Sequence, residues 1–204
     1  MNEGRAPVAI LRVADGSSLS GLSLPRGFPS YYRTDRGPAL ALLGEAASMT
    51  GSRVVVAVGK GALVEGYLCA LPPRSEDVLA PVESAIELVA FEVDEPIRGK
   101  GVFTAMFDAA FRDALEEHIV YVNADPDLRG KGESVRDFRR RLASVFGALG
   151  FAPAPAAERT GARHDPTTFV RLGRGVDPLD VTLFYGLLRS GTRDGATKQE
   201  AHSG

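Results

Sequence analysis

The segment EVDEPIRGKGVFTAMF, residues 92–107, constrains the fold more than any other stretch of the chain. It passes from a β-like run, through two glycines flanked by Arg98 and Lys100, into an apolar helical pattern. A strand that ends in a glycine turn and opens a helix leaves first-turn N–H groups without helical acceptors. The helix dipole adds about half a positive charge at that end. Gly99 and Gly101 carry no Cβ, so a phosphate can approach the backbone, and the two basic side chains add charge. The segment is therefore expected to be an anion cradle. A Walker loop needs Lys and then Ser or Thr after its last glycine, where this chain has Val102. A Rossmann fingerprint needs a third glycine where Thr104 stands. Neither fits.

The remaining pattern supplies strands on both sides of this turn. PVAILRV and LSGLSL read as two short strands around ADGSS, a helix is expected over 38–49, and RVVVAVGKGALVEGYLCAL reads as a hairpin. AIELVAFEV is a long strand. An amphipathic helix is expected over 102–117, with Phe103, Phe107, Ala110 and Phe111 on one face. HIVYV is a strand, and a second helix is expected over 133–149 and ended by Gly150. TFVRLG is a final strand, PLDVTLFYGLLR a terminal helix or turn, and residues 190–204 a disordered tail. The order predicts one mixed α/β domain over 31–189, preceded by an extension of strands over 1–30.

Of the 204 residues, 44% are hydrophobic, enough for a core, and the formal net charge is -2. That charge argues against a general nucleic-acid binder. Cys69 is the only cysteine, so no internal disulfide or thiolate cluster is possible. It sits in a strand-like run and reads as a small core hydrophobe. The three histidines show no metal-ligand spacing, and no metal is expected. The amino terminus lacks the apolar core of a signal peptide, and no apolar run approaches the roughly 20 residues of a membrane span. The expected location is cytoplasmic, without membrane or nucleic-acid partners.

The loop Arg98-Gly99-Lys100-Gly101-Val102-Phe103 resembles the motif of the GNAT acetyltransferases, Gln/Arg-x-x-Gly-x-Gly/Ala, in five of six places. The element order and a later GALGF are similar to that family as well. The resemblance implies a mostly antiparallel twisted sheet, splayed at an acetyl-CoA site and flanked by helices. It implies that the amides of Arg98–Phe103 hold the pyrophosphate of acetyl-CoA, and that the backbone of Phe91 and Val93 pairs with the pantetheine arm. Phe103 departs from the pattern, which has a small residue there. Its helical register with Phe107 and Phe111 points it toward the sheet rather than the ligand.

Acyl transfer to a lysine needs a neutral amine, whereas free lysine has a pKa of about 10.4. A carboxylate can remove the proton. Glu87 lies in AIELVAF, eleven residues before Arg98. From the residues alone it is equally a base or a strand carboxylate facing solvent. The family resemblance implies the base, since its protein-acetylating members carry a glutamate at this spacing. Glu92 is the rival carboxylate, on the opposite face by strand alternation. The tyrosine that many relatives use to protonate the departing thiolate falls on Phe146 here. Tyr121 is a substitute candidate, more simply read as a packed aromatic.

The tetrapeptide RGKG recurs at Arg129–Gly132, in DPDLRGKGESVRDFRRRL. No strand runs directly into it and two aspartates stand upstream, so it reads as a turn feeding a helix. The arginines at 136 and 139–141 read as a solvated helix face, with partner docking or an adenosine 3′-phosphate as alternatives. AIELVAFEV, RGKGV, the second RGKG segment and RHDPTTFVRLGRGV together resemble the acetoin-utilisation branch of the GNAT family, from about Arg53 to Val176. Members of that branch acetylate the active-site lysine of acetyl-CoA synthetase. The resemblance thus implies acetyl-CoA as co-substrate and a protein substrate like acetyl-CoA synthetase. A small-amine acetyltransferase and a non-catalytic acyl-CoA-binding regulator remain the alternatives.

Overall fold

The computed structural model describes residues 8–25, 28, 39–125, 132–154 and 167–200. Among the described residues seven strands follow the order β1-β2-β3-β4-β5-β7-β6 in a mostly antiparallel sheet, with four α-helices. The chain divides into two compact units, residues 1–71 with 88–113 and residues 72–87 with 114–204, so that β4 (Ala85–Val93) contributes to both.

In the first unit β1 (Ala9–Val13), β2 (Arg53–Val58) and β3 (Val64–Leu71) form an antiparallel meander. The run VVVA at 54–57 is buried on both faces, as an unbroken apolar strand must be. On one face Val54, Val56, Tyr67 and Cys69 pack with Leu43 of α1 (Ala39–Ala47). Cys69 is buried, and burial pushes its thiol up to about 12. Helix α2 (Val102–Phe111) buries Met106, Phe107 and Phe111. Arg53 reaches the last turn of α2, where its Nη1 donates to the Ala110 carbonyl at 2.9 Å and its guanidinium lies 5.2 Å from the Phe111 ring centroid. It thereby satisfies a carbonyl that the helix end leaves open.

Two elements differ from the sequence expectation here. Instead of a strand over 19–24, Gly16–Leu19 form a 3-10 turn, because Asp15 Oδ1 accepts from Ser17 N and Ser18 N and caps it. Only Ser23 makes a bridge, to Leu63. Helix α2 also stops at Phe111, six residues short of the expected end. A separate 3-10 turn covers Leu115–Glu117, and the Glu116 carbonyl accepts from Gly175 N at 2.8 Å.

In the second unit the start of β4 pairs in parallel with β5 (Ile119–Ala124), through Ala85↔Ile119, Ile86↔Val120 and Glu87↔Tyr121. Strand β7 (Thr167–Leu172) pairs antiparallel with β5 along its length and with the two-residue β6 (Ala152–Pro153). Helix α3 (Val135–Gly147) begins at Ser134, whose Oγ accepts from Asp137 N at 3.1 Å. It buries Phe138, Leu142 and Phe146, while Val145 stays exposed. Its arginines are partly paired: Arg141 binds Glu133 through Nε at 2.9 Å and Nη2 at 3.0 Å, and Arg140 lies 3.4 Å from Asp137.

Helix α4 runs through Pro178–Glu200, past the point where a disordered tail is expected. No proline follows Pro178 to interrupt it. Phe184 of α4 is fully buried and meets the Tyr121 ring edge-on at 5.5 Å. Among the described residues no helix is long and apolar enough to cross a membrane.

Candidate active site

In the first unit, β4 leads into the glycine loop through Asp94, whose carboxylate accepts from Glu95 N and starts a 3-10 turn over Glu95–Ile97. Ile97 is buried and anchors this turn. Arg98 then folds back, its Nε donating to the Val93 carbonyl at 2.7 Å. Gly99 and Gly101 take φ of 74° and 76°, the left-handed region where a side chain is strained. A Cβ at either would project into open space, with nothing within 4 Å. Gly101 caps α2 without a side-chain bond, so the first-turn amides have no capping side chain at this position. The residues thus fit a phosphate group: glycine backbone, helix start, and the cations of Arg98 and Lys100.

Phe103 meets Phe91 of β4, with ring centroids 5.1 Å apart. It is half-buried, unlike Phe107 and Phe111. Steps of four residues drift about 40° each around a helix, so position 103 lies at the rim of the stripe that 107 and 111 centre. Glu92, on the opposite face of β4 from Phe91, accepts from the Tyr67 hydroxyl at 3.3 Å.

In the second unit, Glu87 is held from two sides. Asn123 Nδ2 donates to its Oε1 at 2.9 Å, and the Tyr121 hydroxyl donates to its Oε2 at 3.2 Å. Strand geometry explains the convergence. Glu87 and Tyr121 are register partners, and Asn123 lies two residues beyond Tyr121 on the same face. Thr168, the partner of Asn123 across β5–β7, donates from its hydroxyl to Asn123 Oδ1 at 2.8 Å. That bond orients the amide so that its NH₂ faces the glutamate. Thr168 and Asn123 carry no motif of their own. The only sequence signal was a polar residue two places after a tyrosine in an otherwise apolar strand.

Burial raises the Glu87 carboxyl above its ordinary value, and the bonds from Asn123 and Tyr121 offset part of that rise. Tyr121 is raised by burial and by the adjacent glutamate, so its hydroxyl stays protonated and donating. Glu87, Tyr121 and Asn123 line a cleft of about 230 Å³ together with Asp77, Val78, Leu79 and Leu188. Phe146, at the place of the usual tyrosine, is a core residue between Phe151 and Phe169, with centroids 5.3 Å from each. The second RGKG lies largely outside the described residues.

The donor bonds make a direct prediction. Tyr121→Phe and Asn123→Ala each remove one donor that favours ionised Glu87, so each is expected to raise the Glu87 pKa further. Carboxyl-carbon NMR titration reads this without any assay of activity. A titration midpoint unchanged or lowered in both variants would mean that neither bond supports the charged form.

No protein-family profile matches the chain, and no curated protein matches it either. Its fold is that of the GNAT acetyltransferases. A GNAT superfamily phosphinothricin acetyltransferase from Sinorhizobium meliloti, in complex with AcCoA, superposes with a TM-score of 0.52 at 19% identity, over 83% of this chain and 91% of that one. A GNAT-family acetyltransferase from Staphylococcus aureus Mu50 gives 0.50 at 12% identity, over 80% and 98%. The similarity is greater to the acetoin utilization protein from Exiguobacterium sibiricum 255-15, with a TM-score of 0.74 at 25% identity over 89% of this chain and 88% of that one.

Proposed function

We propose that the chain is an acetyl-CoA-dependent N-acetyltransferase that acetylates a lysine of a protein, by direct transfer within a ternary complex. One observation carries this reading most. Glu87 is a carboxyl that burial raises above its ordinary value, with both oxygens held by donors, in a cleft of the size of a side chain. Such a group is a suitable general base.

Each Glu87 oxygen uses one lone pair for its donor and keeps another for a proton. In the proposed reaction Glu87 removes a proton from the acceptor ammonium, directly or through a water, so that the freed nitrogen can form the new C–N bond. Acetyl-CoA supplies the thioester carbonyl under attack; as the adduct collapses its C–S bond breaks to release a thiolate, and the nitrogen loses its second proton, which the thiolate takes up. A free thiol has a pKa of about 8.5, so the thiolate leaves without a dedicated acid. Arg98, Gly99, Lys100, Gly101, Val102 and Phe103 are proposed to hold the pyrophosphate, and the backbone of Phe91 and Val93 the pantetheine arm. Cys69 is buried and protonated, which favours direct attack over a cysteinyl intermediate.

The likeness to an acetoin utilization protein makes acetyl-CoA synthetase the first substrate to test. Incubation with acetyl-CoA and that synthetase, followed by mass spectrometry of its lysines, is expected to show one acetylated lysine and loss of synthetase activity. Unmodified lysines would exclude this target. Acetylation of polyamines alone would instead select a small-amine enzyme, and acetyl-CoA bound but never consumed would select a regulator.

The cradle has its own test. Gly101→Ala places a methyl group in the open space over the loop and strains a left-handed residue by about 1–2 kcal/mol. Gly61, in the β2–β3 turn, has φ of 73° and equally open surroundings, and serves as the control. Both variants are expected to lose similar thermal stability, while only Gly101→Ala weakens acetyl-CoA binding, by about tenfold or more. Equal affinity in the two would remove the loop from the cofactor site.

A further inference from the structure

The cleft beside Glu87 contains a second carboxylate that the reaction does not use. Asp77 stands in the connection from β3 to β4 and is exposed, whereas Glu87 is half-buried. Its loop is fixed: Asp77 Oδ2 accepts from Arg74 N at 2.7 Å, and Asp77 N donates back to the Arg74 carbonyl at 2.9 Å. The carboxylate is thus pre-positioned, with its second oxygen outside this pair. The rest of the cleft wall is apolar, from Val78, Leu79 and Leu188, with Tyr121 and Asn123 beside Glu87.

Charge makes this arrangement specific. Among the described residues, those lining the cleft include two carboxylates and no cationic side chain. The Asp77 charge raises Glu87 further, while Arg74, which does not line the cleft and lies 3.9 Å from Glu76, lowers it. Two like charges sharing a partly apolar cleft repel one another, and a cation between them relieves the repulsion. An ammonium on a methylene stem matches all of these features. Its head meets the two carboxylates, and its stem lies along Val78, Leu79 and Leu188. An amine with its own carboxylate next to the nitrogen meets repulsion instead.

We propose that Asp77 is a specificity residue that captures the acceptor as a primary alkylammonium, as on a lysine side chain, and excludes amines that carry a neighbouring anion. The proposal rests on the acetyltransferase reading for its biological meaning but not for its test.

Titration of isotope-labelled protein by NMR with Nα-acetyl-lysine amide and with Nα-acetyl-norleucine amide separates head from stem, since the two differ in the ammonium. The lysine compound is expected to bind about tenfold more tightly, with shifts at residues 77–79, 87 and 123, and to weaken as salt is added. Asp77→Asn keeps an acceptor for the Arg74 N–H and is expected to lose most of that preference while remaining folded. Equal binding of the two compounds to the parent overturns the proposal, as does absence of binding or a preference unchanged in Asp77→Asn. Acetyl-CoA added to the same samples tests the underlying reading separately. Discrimination without transfer, to this compound or to the synthetase, supports the cation cleft and removes the lysine acetyltransferase reading. Where transfer occurs, Asp77→Asn is expected to raise KM for the lysine compound about tenfold with kcat little changed.

Discussion

Glu87→Gln is expected to lower acetyl transfer about 10²- to 10⁴-fold, the usual contribution of a positioned base, with acetyl-CoA affinity unchanged. The substitution keeps the shape of the side chain. Glutamine can still accept from Asn123 through its carbonyl, and the Tyr121 hydroxyl can rotate to accept from its NH₂. What disappears is the ability to hold a proton. The parent should therefore show an acid limb in kcat/KM above the ordinary glutamate range, because burial raises Glu87, and activity falls as pH drops through that value. The variant should lack this limb.

Stability gives an independent readout of the same group. A carboxyl whose pKa is higher in the folded state favours folding fully below its unfolded pKa, and that contribution is lost as pH rises through the folded value. At pH 8 the ionised Glu87 is therefore a burden on the fold, and glutamine relieves it. The variant is expected to melt at or above the parent's temperature at pH 8, with the difference vanishing below the ordinary glutamate range. Full turnover in Glu87→Gln would remove this residue from the mechanism. A variant that is both inactive and less stable at pH 8 would instead point to a structural role.

The glycine cradle was legible because its parts are contiguous. The end of a strand, two glycines and the start of an apolar helix occupy sixteen consecutive residues, 92–107, and local geometry follows from local sequence. Glu87 was legible as a candidate by its distance from that loop, together with the family resemblance. Its surroundings were not. Asn123 and Thr168 lie 45 residues apart and meet only because β5 and β7 pair in one register. Asp77 sits in a proline-bearing connection whose path depends on both flanking strands. Periodicity also failed where a nonlocal bond intervened. The helical pattern over 102–117 reads continuously, yet a 3-10 turn at Leu115–Glu117 replaces its end and lies against residues 171–175.

Gly173→Ala is expected to destabilise the protein by about 3 kcal/mol, at the upper end of ordinary overpacking. A Cβ at Gly173 would collide with the carbonyl of Glu116 and come within 2.8 Å of the Leu115 oxygen. These obstacles are backbone and cannot rotate away. The surrounding bonds hold them in place: Gly173 N donates to the His118 carbonyl at 3.0 Å, and Gly175 N to the Glu116 carbonyl at 2.8 Å. The Glu116 side chain closes the clasp, accepting from Arg174 N and from Arg171 Nη2 at 3.0 Å each. Those two partners, Arg174 first, hold its carboxyl below the ordinary range. At about 2–4 °C per kcal/mol for a chain of this size, the melting midpoint should fall by roughly 6–12 °C. Gly186→Ala is the contrasting substitution. It lies inside α4 with nothing within 4 Å of the added carbon, so it should stabilise the helix by about 0.5–1 kcal/mol. Opposite signs from the same chemical change separate close backbone approach from helix propensity. Because the clasp follows directly on Leu172↔Ile119, the last pair of β7 with β5, Gly173→Ala should also loosen the register that brings Thr168 to Asn123. A midpoint shift of less than 2 °C in Gly173→Ala would show that the turn can move aside, and that the Glu116 clasp does not fix β7.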